Sequence, residues 1–280
     1  MFVLRLMAVL AHPDDESLGF GGVLAKYASE GIETSLVTAT RGDRGKFNGH
    51  AAGGPEHPGA EALGRIREGE LRNAAAALGV RDLSILGYGD QHLDRAAHDE
   101  AVGRIAGHVR RIRPHVVITF GPEGGYGHPD HIAISQFTTA AVVAAADPSF
   151  EPGPTTSHRV TKLYYLAWDE RTWAAYQAAF RALTSTVDGV TRQATPWPAW
   201  AITTVVDTRA AWSTVWRAVS CHQSQVSAYE KLAHLTPEHH EALWGAQSFY
   251  RVFSLVNGGR ERETDLFEGL REARDVQERR

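Results

Sequence analysis

Met7-Ala8-Val9-Leu10-Ala11-His12-Pro13-Asp14-Asp15-Glu16 joins an apolar run to a dense polar cluster, and its reading decides the fold. The run over residues 3–10 has the length and apolarity of a buried strand. It does not read as a signal peptide: Arg5 interrupts it, no cationic segment precedes it, and the polar cluster would be an odd cleavage site. A helical pattern follows over about 17–30. The same alternation continues downstream, with strands predicted at 34–39, 83–86 and 116–120 and helices at 60–78, 99–111 and 130–145. Strands alternating with helices predict an α/β, three-layer fold with a mostly parallel sheet and helices on both faces. Ligands of such sheets bind beyond the carboxyl ends of the strands, where the strand order switches.

Two stretches break the rhythm. Residues 41–59 are rich in glycine and charge, and a connection of that length reads as a functional lid or as a disordered insertion. Residues 147–154 carry prolines. Strands are expected beyond them at 163–167, 203–206 and 249–256, and helices at 172–183 and 209–221. Residues 1–260 read as one domain, with a motif-bearing core over 1–146 and an extension over 155–260 that completes the sheet. Residues 261–280 read as a charged, exposed helical tail.

Composition narrows the partners. The chain has 280 residues, 43% hydrophobic and 22% charged, which suits a globular protein with a full core. Its 29 Lys+Arg against 33 Asp+Glu leave a net charge of −4, with no electrostatic case for nucleic acid or an anionic membrane. No segment has the apolar length of a membrane span. The one cysteine, Cys221, argues for a reducing compartment, hence the cytoplasm. A homo-oligomer is compatible with all of this.

The chemistry sits in two motifs. His12, Asp14, Asp15 and Glu16 crowd three carboxylates and an imidazole directly after a strand, and like charges that close call for a cation or a proton. A helix N-terminus would account for Asp15 or Glu16 but not for His12. The second motif is Tyr126-Gly127-His128-Pro129-Asp130-His131, after the strand at 116–120. Pro129 fits the first position of a helix with His128 as its cap, so His128 and His131 fall near one side. Paired histidines are often only polar loop residues. Both motifs follow parallel strands, however, and open at one edge of the sheet. His12, Asp15 and one of the two histidines then make three ligands around an open position, as in a catalytic zinc site. A carboxylate and a histidine remain for proton transfer.

On these residues the chain resembles the PIG-L / LmbE-like deacetylase family, marked by A-H-P-D-D-E after the first strand and a later H-P-D-H. Here those motifs are Ala11–Glu16 and His128–His131. His222-Gln223-Ser224-Gln225 and Asp265-Leu266-Phe267-Glu268 also look family-like. The resemblance implies a Rossmann-like fold and removal of acetyl from the amine of an N-acetylglucosamine-type glycoside. It implies one divalent metal, Zn²⁺ or else Fe²⁺, on His12, Asp15 and His131. It further implies Asp14 as general base, and His128 as acid or electrostatic stabiliser with Asp130 orienting or tuning it. Tyr126 falls near the oxyanion, while Arg67, Asp90 and Arg41 are placed toward the substrate.

Two rival readings remain at this stage. Gly19-Phe20-Gly21-Gly22 opens a helix after the first strand, as a dinucleotide fingerprint does, which would suit an NAD(P)-binding oxidoreductase. The spacing is incomplete and Thr40-Arg41 replaces the acidic ribose ligand, so close packing is the plainer reason for the glycines. A metal-dependent sugar-binding module is the other rival, though it leaves the spare carboxylate and histidine without a task. The tryptophans at 168, 173, 197, 200, 212 and 216 read as core or as an acceptor pocket. His50, His57, His239 and His240 read as surface residues.

Overall fold

The opening apolar run forms β1 (Arg5–Leu10), buried after its first residue. The computed structural model describes residues 3–150, 156–180, 184–187, 189–259 and 261–271. β1 pairs in parallel with β2 (Glu33–Thr40) on one side and β4 (Val116–Phe120) on the other. β3 (Asp82–Tyr88) and β5 (Lys162–Leu166) continue the parallel pairing outward. β9 (Ala246–Ser254) and β8 (Thr204–Asp207) then join antiparallel, which gives a seven-stranded sheet in the order β3-β2-β1-β4-β5-β9-β8. A separate hairpin pairs β6 (Thr184–Val187) with β7 (Val190–Gln193).

The helical segments fill both faces. α4 (His98–Ile112) and α6 (Pro129–Ala146) pack together on one, and α2 (Gly21–Ser29) and α3 (Ala60–Ala77) pack with α8 (Trp212–Val219) on the other. The central strands are therefore covered twice, which is why they read as unbroken apolar runs. The expected helix over 17–30 is in fact two, α1 (Asp15–Leu18) and α2, and Gln247 of β9 fills the break. Its amide nitrogen donates to the Gly19 carbonyl at 2.5 Å and its oxygen accepts from Val23 N at 2.6 Å. Gly22 is small for the same reason: a Cβ there would lie 2.9 Å from Gln247 Oε1 and from Thr208. These glycines serve packing, as expected, but against a later strand and loop.

The region from 170 onward departs most from the sequence reading. α7 is Glu170–Phe180, and residues 181–183 of the expected helix lie outside the described residues. The expected helix over 209–221 starts as a 3₁₀ turn at Arg209–Ala211. The β6–β7 hairpin, α9 (Val226–Ala233) and α10 (Pro237–Trp244) were not anticipated, because eight residues or fewer carry little periodicity. Nor is His240 a surface residue. It is buried, stacks on Trp216 and Trp244, and its Nε2 bonds the Leu232 carbonyl at 2.8 Å. Trp212 and Trp216 flank this second core and Trp168 stacks on Tyr176, whereas Trp200 is 87% exposed. Among the described residues, no helix is long and apolar enough to cross a membrane.

The expected exposed tail is corrected for residues 261–271, while 272–280 lie outside the described residues. Leu266, Phe267 and Leu270 are buried in the main core. Glu263, also buried, receives Lys162 Nζ at 2.6 Å, Arg251 Nη1 at 2.9 Å, the Tyr164 hydroxyl at 2.8 Å and the Thr204 hydroxyl at 2.6 Å. Burial raises the Glu263 pKa, but Lys162 and the hydroxyls outweigh it and bring it from 4.5 to about 2. Removing one partner of a buried ion pair strands the other, at a cost of about 3–5 kcal/mol. Glu263→Ala should lower the free energy of urea unfolding by about that amount at pH 7. The lowered carboxyl pKa gives the sign with pH: the gap should shrink as pH falls from 4.5 toward 2, where wild-type Glu263 also loses its charge. Equal unfolding midpoints at pH 7 would contradict the anchoring role.

Candidate metal centre and active site

β1 and β4 are neighbours, and the strand order reverses between them, so a crevice opens beyond their carboxyl ends. Both motifs leave the sheet there. After β1 the chain turns sharply at Asp14, whose φ of +103° and ψ of −25° are strained for a residue with a Cβ. Such a conformation costs about 1–3 kcal/mol and persists only where neighbours enforce it. Here the Asp14 N–H donates to Glu16 Oε2 at 2.9 Å, and its carbonyl accepts from the amides of Ser17 and Leu18. The turn sends Asp15 inward. Its Oδ2 accepts from the amides of Ala11 at 3.2 Å and His12 at 2.8 Å, while Oδ1 lies 3.3 Å from His131 Nε2.

After β4 the chain needs glycine. Gly124, Gly125 and Gly127 have φ of +67°, +71° and +77°. A Cβ on Gly124 would come within 2.9 Å of the Ile132 amide nitrogen, so only glycine lets this loop close onto the start of α6. His128 caps α6 and Pro129 is among its first residues, as their order suggested, with His128 Nδ1 accepting the Asp130 amide at 3.2 Å.

The two segments bring His12, Asp15 and His131 together. His12 Nδ1 and His131 Nε2 are 3.1 Å apart. The other nitrogen of each ring is engaged. His12 Nε2 lies 3.0 Å from Asp130 Oδ2 and 3.3 Å from Asp90 Oδ1, and both partners are carboxylates. His131 Nδ1 lies 3.2 Å from the Gly124 carbonyl, which can only accept. Neutral imidazoles held this way would carry their protons away from each other and bring two lone pairs together across 3.1 Å beside the Asp15 carboxylate. Either a proton shared between the rings or a metal cation relieves that arrangement. Ligands held about 2.0–2.1 Å from a tetrahedral ion are about 3.3 Å from one another, which these separations match. The electrostatics put a proton where the cation would sit. Burial would lower the pKa of His12, yet Asp130, Asp90 and Asp15 hold it well above the ordinary value. Burial would raise Asp15, but His131 and His12 keep it well below the ordinary carboxylate range.

The supporting residues differ in part from the expected roles. Asp130 holds the His128 ring through its main-chain amide, not through its carboxylate. Its side chain is spent on His12 and on the amides of Gln91 at 2.7 Å and Leu93 at 3.0 Å. Asp90 is buried behind His12 and takes the Arg44 amide at 2.8 Å. Arg67 is buried too; it donates to the carbonyls of Gly42 at 2.9 Å and Pro13 at 2.5 Å and to Asp14 Oδ2 at 3.0 Å. Both side chains are thus buried beside the site and engaged within the protein. Arg41 stays half exposed on Glu68, at 2.8 Å, outside the buried cluster.

Two groups face the centre from the second motif. His128 is held neutral: burial, then His12 and His131, push it down to about 3. With Nδ1 accepting, its Nε2 carries the proton. The Tyr126 ring lies 5.1 Å from that of His131, and burial followed by the negative charge of Asp15 and Asp14 raises its pKa, so it stays a donor. Neither His128 Nε2 nor the Tyr126 hydroxyl bonds to another described residue.

The loop over 41–59 is tied down by several contacts, through Arg44 to Asp90, Gly42 to Arg67, and Asn48 N to the Ser224 carbonyl at 2.8 Å. Sequence reasoning did not anticipate what binds it. The signal was present in His222-Gln223-Ser224-Gln225: Ser224 N and Oγ take Glu70 at 2.6 and 2.7 Å, Gln225 takes the Lys46 carbonyl, and His222 takes Glu16.

Residues 7–142 match the PIG-L family, described as GlcNAc-PI de-N-acetylase. The chain is 34% identical over 298 residues to a 1D-myo-inositol 2-acetamido-2-deoxy-alpha-D-glucopyranoside deacetylase of Streptomyces avermitilis, covering 95% of this chain and 97% of that one. A Kineococcus radiotolerans protein of the same name is 35% identical, with 95% and 83% covered. Among solved structures, an N,N'-diacetylchitobiose deacetylase from Pyrococcus horikoshii superposes with a TM-score of 0.64 at 19% identity, covering 89% of this chain and 83% of that one. A 4-carboxy-2-hydroxymuconate hydratase from Pseudomonas putida gives 0.67 at 18% identity, with 92% and 99% covered. Likeness at such identities shows the fold alone, and the hydratase illustrates that this frame also carries other chemistry.

His12→Ala and His131→Ala should each abolish tight zinc binding in chelator-competition titrations. Asp130→Ala, which removes the support behind His12 together with the acceptor of the Gln91 and Leu93 amides, should weaken it about 10–100-fold. Undiminished zinc affinity in His131→Ala would refute the assignment of the centre.

Proposed function

We propose, on the premise that this chain belongs to the PIG-L family, that it is a metal-dependent hydrolase that removes the acetyl group from the amine of an N-acetylglucosaminyl conjugate. The carrying observation is the cluster of His12 Nδ1, His131 Nε2 and the Asp15 carboxylate, separated by 3.1 Å, 3.3 Å and 3.7 Å, with uncommitted donors beside it. His12, Asp15 and His131 hold the ion, which we take to be Zn²⁺; two imidazoles and a carboxylate also suit Fe²⁺. The inositol glycoside named for the curated relatives is the favoured substrate, since they align along nearly the whole chain. The lone cysteine favours a cytoplasmic setting.

When bound, the ion supplies Lewis-acid activation of water and of the acetyl carbonyl. Asp14 accepts a proton from the attacking water as oxygen bonds to the carbonyl carbon. The Tyr126 hydroxyl and the Nε2–H of His128 donate to the oxygen that gains negative charge. A histidine held near 3 is a poor source of protons at neutral pH, so His128 acts as a neutral donor rather than as the acid. The proton taken up by Asp14 passes to the departing nitrogen as the C–N bond breaks. Acetate and a free amine leave.

Zinc-loaded protein should release equal amounts of acetate and amine from 1D-myo-inositol 2-acetamido-2-deoxy-alpha-D-glucopyranoside. Asp14→Ala should keep its zinc and lose nearly all turnover. The absence of amine release from both this glycoside and N-acetylglucosamine would refute the proposal. Tyr126→Phe should lower kcat about 100-fold, because its hydroxyl acts on charge that develops only in the transition state. An effect confined to KM would move Tyr126 to ground-state binding.

A further inference from the structure

The mechanism leaves one buried pair unused. His222, in the turn after α8, reaches Glu16 with Nε2 2.8 Å from Oε1, and neither residue has any exposure to solvent. Glu16 is fully committed. The Ser17 hydroxyl donates to Oε1 at 2.6 Å, and the main-chain N–H of Asp14 donates to Oε2 at 2.9 Å. Neither His222 nor Glu16 bonds to His12, Asp15 or His131. What they hold is the main chain of Asp14, at its φ of +103°.

We propose that His222 is a positioning residue for the hydrolysis: through Glu16 it locks the strained main chain of Asp14 and so aims the Asp14 carboxylate. The inference rests on the reading of Asp14 as the base. A buried carboxylate needs all its donors, because an unmet lone pair there has no water to turn to. Without the His222 donor, Glu16 shifts to recover a partner and lets go of the Asp14 amide. The positive φ then rests on the Ser17 and Leu18 amides that the Asp14 carbonyl accepts, and the loosened Asp14 turns its side chain. The same turn braces the carboxylate as well. Ser224 grips Glu70 with both its amide and its hydroxyl. Glu70 lies one helical turn beyond Arg67 on α3, and Arg67 holds Asp14 Oδ2. The second half of the chain thus supplies no described ligand to the centre, but it sets the direction of its base.

The test compares His222→Gln, whose amide nitrogen can still reach Glu16, with His222→Asn, whose donor falls short. Both are assayed for kcat and KM on the inositol glycoside, for bound zinc, and for hydrogen exchange of the Asp14 amide. His222→Gln should stay near the wild-type kcat. His222→Asn should lose about 10–100-fold in kcat at constant KM and zinc content. Exchange at the Asp14 amide should quicken in His222→Asn while the β1 amides stay protected. Wild-type kcat in His222→Asn, zinc lost in step with activity, or exchange quickened evenly along the chain would each overturn the proposal. Asp14→Ala separates the two levels. If it is inactive while His222→Asn is fully active, only the positioning role falls; if it turns over normally, the base assignment falls and the positioning role with it.

Discussion

His12 Nδ1 and His131 Nε2 face each other across 3.1 Å beside the Asp15 carboxylate, a cluster that needs a positive charge between its members, and the rest of the site is arranged around that confrontation. The tautomers are imposed from behind, by Asp130 and Asp90 on one ring and by the Gly124 carbonyl on the other. Asp15 adds a negative charge whose second oxygen is already held by main-chain amides. A cation relieves all three at once, and burial strengthens its attraction to the carboxylates.

Holding such groups together requires distortion of the backbone on both sides. Asp14 takes a positive φ after β1, and a run of glycines lets the loop after β4 fold tightly against α6. The sheet supplies the rigid frame, since β1 and β4 are its buried centre. Contacts from the second half then hold the first: Gln247 fills the break between α1 and α2, His222 reaches Glu16, and Ser224 ties α3 to the loop over 41–59. The centre is built by residues 12–131, and its shape is maintained by residues beyond 220.

Much of this was legible in the chain, for physical reasons. β4 was readable to the residue, because a strand buried on both faces has no polar interruptions. His12 and Asp15 could be grouped with one of the two histidines of the second motif because each motif follows a parallel strand, and parallel neighbours end at one edge; the choice of His131 came from the family resemblance. The helix start at Pro129 followed from the missing amide of proline. Other features had no local signature. Asp130 was assigned to His128, which its main-chain amide does hold, but its carboxylate serves His12, and only the fold brings it there. Arg67 and Asp90 have the look of substrate contacts in sequence, and the fold buries both beside the site. The C-terminal stretch was taken as solvated from its charge, although Glu263 is neutralised by Lys162 and Arg251 about a hundred and a dozen residues away along the chain.

X-ray absorption at the zinc edge of the purified, zinc-loaded protein tests the central claim most directly. The account predicts a first shell with two imidazole nitrogens and carboxylate or water oxygens at about 2.0–2.1 Å, and one imidazole fewer in His131→Ala. A shell without histidine, or one that the substitution leaves unchanged, would contradict it.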